Sequence, residues 1–177
     1  MPAKLIKFIS LDDFKKVLKA EKKPEYKLAY VLAFGSGLRI SEILGPHKNS
    51  NQEIKPLVRE QINLDTKQIR LLGKGKKERI TVINPLFPLK ENMLKLLPIK
   101  KSRTALQSRF SSLSEKVLGR RLNFHVLRHG FGNFMVNDRE IPIPIVQGFM
   151  GHARGEMTMH YAKANPTASI NKVWEGF

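Results

Sequence analysis

The chain contains no cysteine. Disulfides, thiolate nucleophiles and cysteine-based zinc sites are therefore excluded. Acidic residues are also scarce: 15 Asp and Glu face 32 Lys and Arg, a formal net charge of +17 over 177 residues. The surplus is spread along the chain rather than gathered in a tail. It implies a wide basic face and an extended anionic partner, with nucleic acid the fitting candidate. A lysine-rich surface that serves stability alone is the competing reading. No apolar run approaches the length of a membrane span, and no basic amphipathic helix carries an aromatic-rich apolar face. Met1 to Ser10 lacks the apolar centre of a signal peptide. The expectation is a protein of the cytoplasm with no membrane partner. A hydrophobic content of 41% suffices for one well-packed domain and not for two large ones.

The apolar pattern is mainly helical. Ser10 is a candidate N-cap, with Asp13 three residues on, and Leu11, Phe14, Val17 and Leu18 follow at helical spacing. Pro24 opens a second helix that is apolar almost all round, hence central and buried; Gly35-Ser36-Gly37 ends it. A short helix spans Arg39 to Leu44, and a polar loop covers 46–58. From Val58 to Ile83 the pattern becomes two or three antiparallel strands joined by turns, one of them the basic Gly73-Lys74-Gly75-Lys76-Lys77. Helices are then expected over Leu89 to Leu97, over Ser102 to Leu118, from Phe124, before Gly151, and after Pro166. The predicted class is α+β, mainly helical, with one small antiparallel sheet.

Within that frame, His125-Val126-Leu127-Arg128-His129 puts a histidine and an arginine three apart, on one helical face. His152 and Tyr161 follow. Cationic and hydrogen-bonding groups with one phenol suit an in-line displacement at phosphorus, and few other reactions. Tyrosine is rare here, with three in the chain. Tyr26 and Tyr30 lie in the apolar second helix, where packing explains them, so Tyr161 is the candidate nucleophile. His129 lies four after His125, but Arg128 between them and the lack of a glutamate at 126 argue against a zinc helix.

Four blocks, in order, resemble the catalytic domain of the tyrosine recombinases, the phage-integrase and Xer-type family. They are Gly37-Leu38-Arg39-Ile40-Ser41-Glu42-Ile43, Gly73-Lys74-Gly75-Lys76-Lys77-Glu78-Arg79, the His125 to His129 block, and Met150-Gly151-His152 with Tyr161 at the family spacing. Leucine usually stands where Met150 does. The resemblance implies the tyrosine-recombinase catalytic fold and a DNA-breaking and rejoining enzyme with a 3′-phosphotyrosyl intermediate, without metal, cofactor or ATP. It implies Arg39, Lys74, His125, Arg128, His152 and Tyr161 as catalytic residues. Arg39 and Arg128 clamp the phosphate, a task suited to a planar, permanently charged fork. Lys74 is the general acid, with Lys76 its nearest substitute, and His125 is a general base or phosphate ligand. Glu42 would hold Arg39, and His129 would be packed and hydrogen-bonded. Lys76, Lys77 and Arg79 would contact DNA.

The resemblance also implies double-stranded DNA as partner, a tetramer on paired sites (a free monomer being compatible), and nucleoid association. Residues 1–177 read as a single catalytic domain. With Arg39 so early, the N-terminal DNA-gripping domain usual in the family is expected to be absent from these residues. A type IB topoisomerase and a non-catalytic DNA-binding regulator are the alternatives. The apolar residues Ile170, Val173, Trp174 and Phe177 could dock on a neighbouring protomer or on the chain's own core.

Overall fold

The computed structural model describes residues 8–46, 54–72, 78–151 and 166–177. Helix α1 (Leu11–Ala20) starts as expected: the Ser10 hydroxyl accepts from the Asp13 amide at 3.2 Å, satisfying one of the amides that no helical carbonyl can reach. Its apolar face buries Phe14 and Val17. Beyond it, the fully buried Glu21 carboxylate accepts from the Lys22 and Lys23 amides, from both prongs of Arg109 at 2.9 Å, and from the Tyr30 hydroxyl at 3.2 Å. Buried carboxylates persist only when so paired. Tyr30 is thus a core residue, and burial and the Glu21 charge push its phenol pKa upward.

Helix α2 (Pro24–Ser36) buries residues on every face, from Tyr26 to Ser36. It stops at Gly37, which adopts a left-handed backbone (φ 68°) that other residues resist. A Cβ there would lie 2.6 Å from the Phe131 ring. Helix α3 (Ile40–Leu44) follows at once. Strands β1 (Ile62–Asn63), β2 (Gln68–Leu72) and β3 (Glu78–Val82) form an antiparallel sheet in that order. Ile69 pairs with Ile62 on one side and Thr81 on the other. Alternation turns Ile69 and Leu71 into the core and leaves Arg70 and Leu72 outside.

The helix expected over Leu89 to Leu97 shrinks to α4 (Glu91–Leu94). Past Leu94 the turns tighten, the Leu96 and Leu97 amides bonding three residues back to Met93 and Leu94, and Pro98 disfavours a helical Leu97. Helix α5 (Arg103–Leu118) is capped by Ser102 and closed by Gly119, φ 68°. Helix α6 (His125–Asn133) packs against α2, where Gly130 lets the Phe34 ring approach, and continues as a π-helical turn over Phe134–Asp138. Helix α7 (Ile143–Met150) ends at Gly151, φ 64°. Helix α8 (Pro166–Trp174) packs on the chain's own core. Ile170 and Val173 are buried, the Trp174 indole donates to the Ile83 carbonyl at 2.9 Å, and Lys67 sits 4.2 Å over its ring.

One apolar core gathers these elements around α2. Phe14 and Phe34 stack at 4.1 Å with Phe87 edge-on to both, each such pair contributing about 0.5–1.5 kcal/mol beyond area burial. Among the described residues no helix is long and apolar enough to cross a membrane. The architecture is the expected one, mainly helical with a small antiparallel sheet.

Candidate active site

Three elements end at one point. Helix α2 delivers Gly37 and then Arg39, helix α6 delivers Arg128, and strand β3 delivers Arg79, all toward the C-terminal end of α7. A helix leaves its last carbonyls without partners and carries partial negative charge there. Here three successive carbonyls each accept from an arginine: Phe149 from Arg79, Met150 from Arg128, and Gly151 from Arg39 at 3.1 Å. Arg128 also donates to the Gly37 carbonyl, which fixes its guanidinium between the ends of α2 and α7. Gly151 is required here: its φ is positive, and a Cβ would lie 2.5 Å from Cδ of Arg79.

One carboxylate serves this cluster. Glu42 in α3 folds back so that one oxygen accepts from the Arg39 amide at 2.7 Å. Arg79 grips both oxygens, at 2.7 and 3.1 Å. The Arg39 guanidinium makes only a 3.4 Å contact with it. Burial works to raise the Glu42 pKa, but the charge and hydrogen bonds of Arg79, and then those of Arg39, outweigh it and hold the carboxyl below its ordinary value.

Three guanidinium groups against one carboxylate leave a local excess of positive charge. Arg128 feels it directly. It is 2% exposed, and its hydrogen bonds among the described residues go to carbonyls rather than to a carboxylate. Burial, then the charges of Arg39 and Arg79, push its pKa down to about 9. A buried cation so placed is relieved by any anion that reaches it.

An anion has a way in. A cleft of about 220 Å³ is lined by Leu38, Ile40, Arg103, Gln107, Phe124, His125 and Arg128. His125 is exposed at its edge, its ring edge-to-face with His129 at 4.5 Å. His129 is half-buried, and burial and then the Arg128 charge lower its pKa, favouring a neutral imidazole. Among the described residues no three His, Asp or Glu side chains are grouped to hold a metal ion.

Residues 7–168 match the sequence profile of the phage integrase family. The chain belongs to that family. It is 28% identical over 151 residues to tyrosine recombinase XerC of Haemophilus influenzae, covering 76% of this chain and 47% of that protein. It is 29% identical over 184 residues to tyrosine recombinase XerA of Pyrococcus horikoshii, covering 92% and 59%. The chain therefore spans about half the length of the curated relatives it matches. Its fold is similar to that of an integrase from mycobacterium phage Brujita, with TM-score 0.70, 16% identity, and coverage of 98% of this chain and 60% of that one. It is also similar to the XerH site-specific recombinase solved with its difH substrate in a pre-cleavage complex, with TM-score 0.63, 20% identity, and coverage of 100% and 56%.

In this phage integrase family member, Arg39 and Arg128 meet at the C-terminal end of α7 with Glu42 beside Arg39, while His125 lines the cleft with Arg128 and stands against His129. Lys74, Lys76, Lys77, His152 and Tyr161 lie outside the described residues, as do residues 47–53 of the polar loop. Arg79 departs from expectation. Placed with the hairpin lysines as a DNA contact, it is instead turned inward, its side chain 12% exposed and bound to Glu42. The physical reason is the competition for its charge: a buried carboxylate and a helix C-terminus hold it more tightly than solvent does. Two cleft residues were missed in the sequence, Arg103 and Gln107. Their signal was their spacing of four in the first turns of α5, behind the Ser102 cap, which no motif marked.

Proposed function

We propose that this chain is the catalytic part of a site-specific DNA recombinase or integrase, and that residues 1–177 act as one catalytic domain. The observation that carries the reading is the arginine cluster. Arg128 is buried, its hydrogen bonds among the described residues go to carbonyls, and its pKa is pushed down to about 9, beside a cleft and near the half-exposed Arg39. Such a site favours a bound anion whose charge grows during reaction. A phosphodiester attacked in line is such an anion, and its non-bridging oxygens match two guanidinium forks.

The Tyr161 oxygen attacks phosphorus; the bond to the 5′-oxygen breaks, leaving a 3′-phosphotyrosine and a free 5′-hydroxyl. The phenol proton passes to a base, for which His125 is the candidate, and Lys74 protonates the departing 5′-oxygen. His152 donates a hydrogen bond to the phosphate. Attack by a second 5′-hydroxyl reverses the step, so the bond energy is conserved and no nucleotide is consumed. The guanidinium groups supply the charge a metal would otherwise provide. Double-stranded DNA is the partner, assembled as a tetramer over paired sites, in the cytoplasm at the nucleoid. XerH, solved with difH, and the Tn1549 transposon integrase, solved with circular-intermediate DNA, are structural neighbours consistent with such a partner.

The test is covalent capture. A pool of nicked duplexes with a randomised arm loses the short fragment after cleavage, so the adduct cannot religate. Wild type should yield a denaturation-resistant protein–DNA adduct, equally with EDTA present, and Tyr161→Phe should yield none. Relaxation of supercoiled plasmid without a selected site would favour the topoisomerase alternative, and binding without adduct the regulator.

A further inference from the structure

The guanidinium of Arg79 has no route to the cleft, yet it holds the group that most directly competes for Arg39. Glu42 is 5% exposed and Arg79 12%, whereas Arg39 is 39% exposed. Arg79 takes both carboxylate oxygens at 2.7 and 3.1 Å, and its remaining nitrogen, Nη1, donates to the Phe149 carbonyl. With the carboxylate so occupied, Arg39 keeps one 3.4 Å contact to it and one 3.1 Å bond to the Gly151 carbonyl. A buried carboxylate cannot stay unpaired. Without Arg79, Arg39 is the nearest cation left to neutralise it, and attraction in a water-poor site is strong.

We propose that Arg79 is a positioning residue: by saturating the Glu42 carboxylate it keeps the Arg39 guanidinium free to face the phosphate. The inference rests on the phosphoryl-transfer reading above for its substrate. It differs from a structural prop in one consequence. If Arg79 acts by occupying a charge, then removing that charge makes Arg79 dispensable.

The experiment is a mutant cycle of wild type, Arg79→Met, Glu42→Gln and the double variant. Adduct formation is measured in single turnover at saturating DNA, well below each melting point so that recovered stability does not register. Arg79→Met should react about 100-fold more slowly, the scale of losing one transition-state donor, with DNA affinity within about 3-fold. The double variant should regain about 10-fold or more over Arg79→Met, since a neutral amide does not capture Arg39. A double variant no faster than Arg79→Met overturns the proposal. If Arg79→Met does not fold, Arg79→Lys takes its place; it keeps a charge but not the two-pronged grip. If wild type gives no adduct, the cleavage reading fails, and inorganic phosphate titrated by calorimetry into the same proteins decides the role of Arg79. Affinity lost in the single variant and regained in the double supports it; affinity unaffected by Arg79→Met overturns it.

Discussion

Arg128 is a cation where burial opposes charge, and that conflict makes the site responsive. Its pKa is lowered to about 9 by burial and by two neighbouring arginines, far below that of an arginine in an unfolded chain. Below pH 9 both states carry the charge and the folded state bears the cost. Above pH 9 the unfolded state holds more protons, so this group's contribution to stability rises with pH. A bound anion reverses the preference. Inorganic phosphate should therefore raise the melting temperature at pH 7, and the gain should shrink as pH passes through 9. Melting curves with and without phosphate at pH 7 and 10 check this; an equal gain at both would place the anion elsewhere.

Elements matter here through their ends. Gly151 and Gly119 both end helices with positive φ, 64° and 68°. A methyl group at 119 meets nothing within 4 Å, whereas at 151 it meets Arg79 at 2.5 Å. Gly119→Ala should cost only the backbone strain, about 1–2 kcal/mol. Gly151→Ala should cost more and should also suppress adduct formation, because Arg79 and Arg39 must shift; urea melts and capture assays on both variants separate the two. Glu21 ties the end of α1 to α2 and α5. Burial raises its pKa, but Arg109 and the backbone amides prevail and hold it below the ordinary value of 4.5. Its stabilisation is thus full above that value and is lost as pH falls through the lower folded one. Glu21→Gln should cost about 1–3 kcal/mol at neutral pH and flatten the loss below pH 4.5, read by urea melts at pH 7 and 3.5. Most element boundaries were legible: Ser10, Ser102, Pro24, Gly37 and Gly151 mark helix ends by local chemistry that acts wherever they stand. The inward turn of Arg79 was not. In the run from Lys74 to Arg79 nothing local separates it from the lysines. The carboxylate that captures it is 37 residues away in sequence, and α4 was overread because its apolar spacing does not register Pro98.

At the scale of the molecule, the net charge of +17 and the arginine cluster divide the work. In the proposed reading, spread cations bind DNA without reading it, and the buried cluster acts on one phosphate. DNA affinity should fall steeply with salt, by orders of magnitude between about 50 and 200 mM. Anisotropy titrations measure this, and a flat response would remove the basic face from the account. That His125 and Arg128 share one helical face was legible from their spacing of three, and both line the cleft. Where Arg103 and Gln107 would join them was not, since that depends on how α5 crosses α6. The central claim is that this cluster serves phosphoryl transfer to Tyr161. Its most direct test is mass spectrometry of the DNA-linked peptide from the captured adduct. The account predicts a nucleotide phosphate on the Tyr161 oxygen and no adduct from Tyr161→Phe; linkage to Tyr26, Tyr30 or a serine, or adduct surviving in Tyr161→Phe, would contradict it.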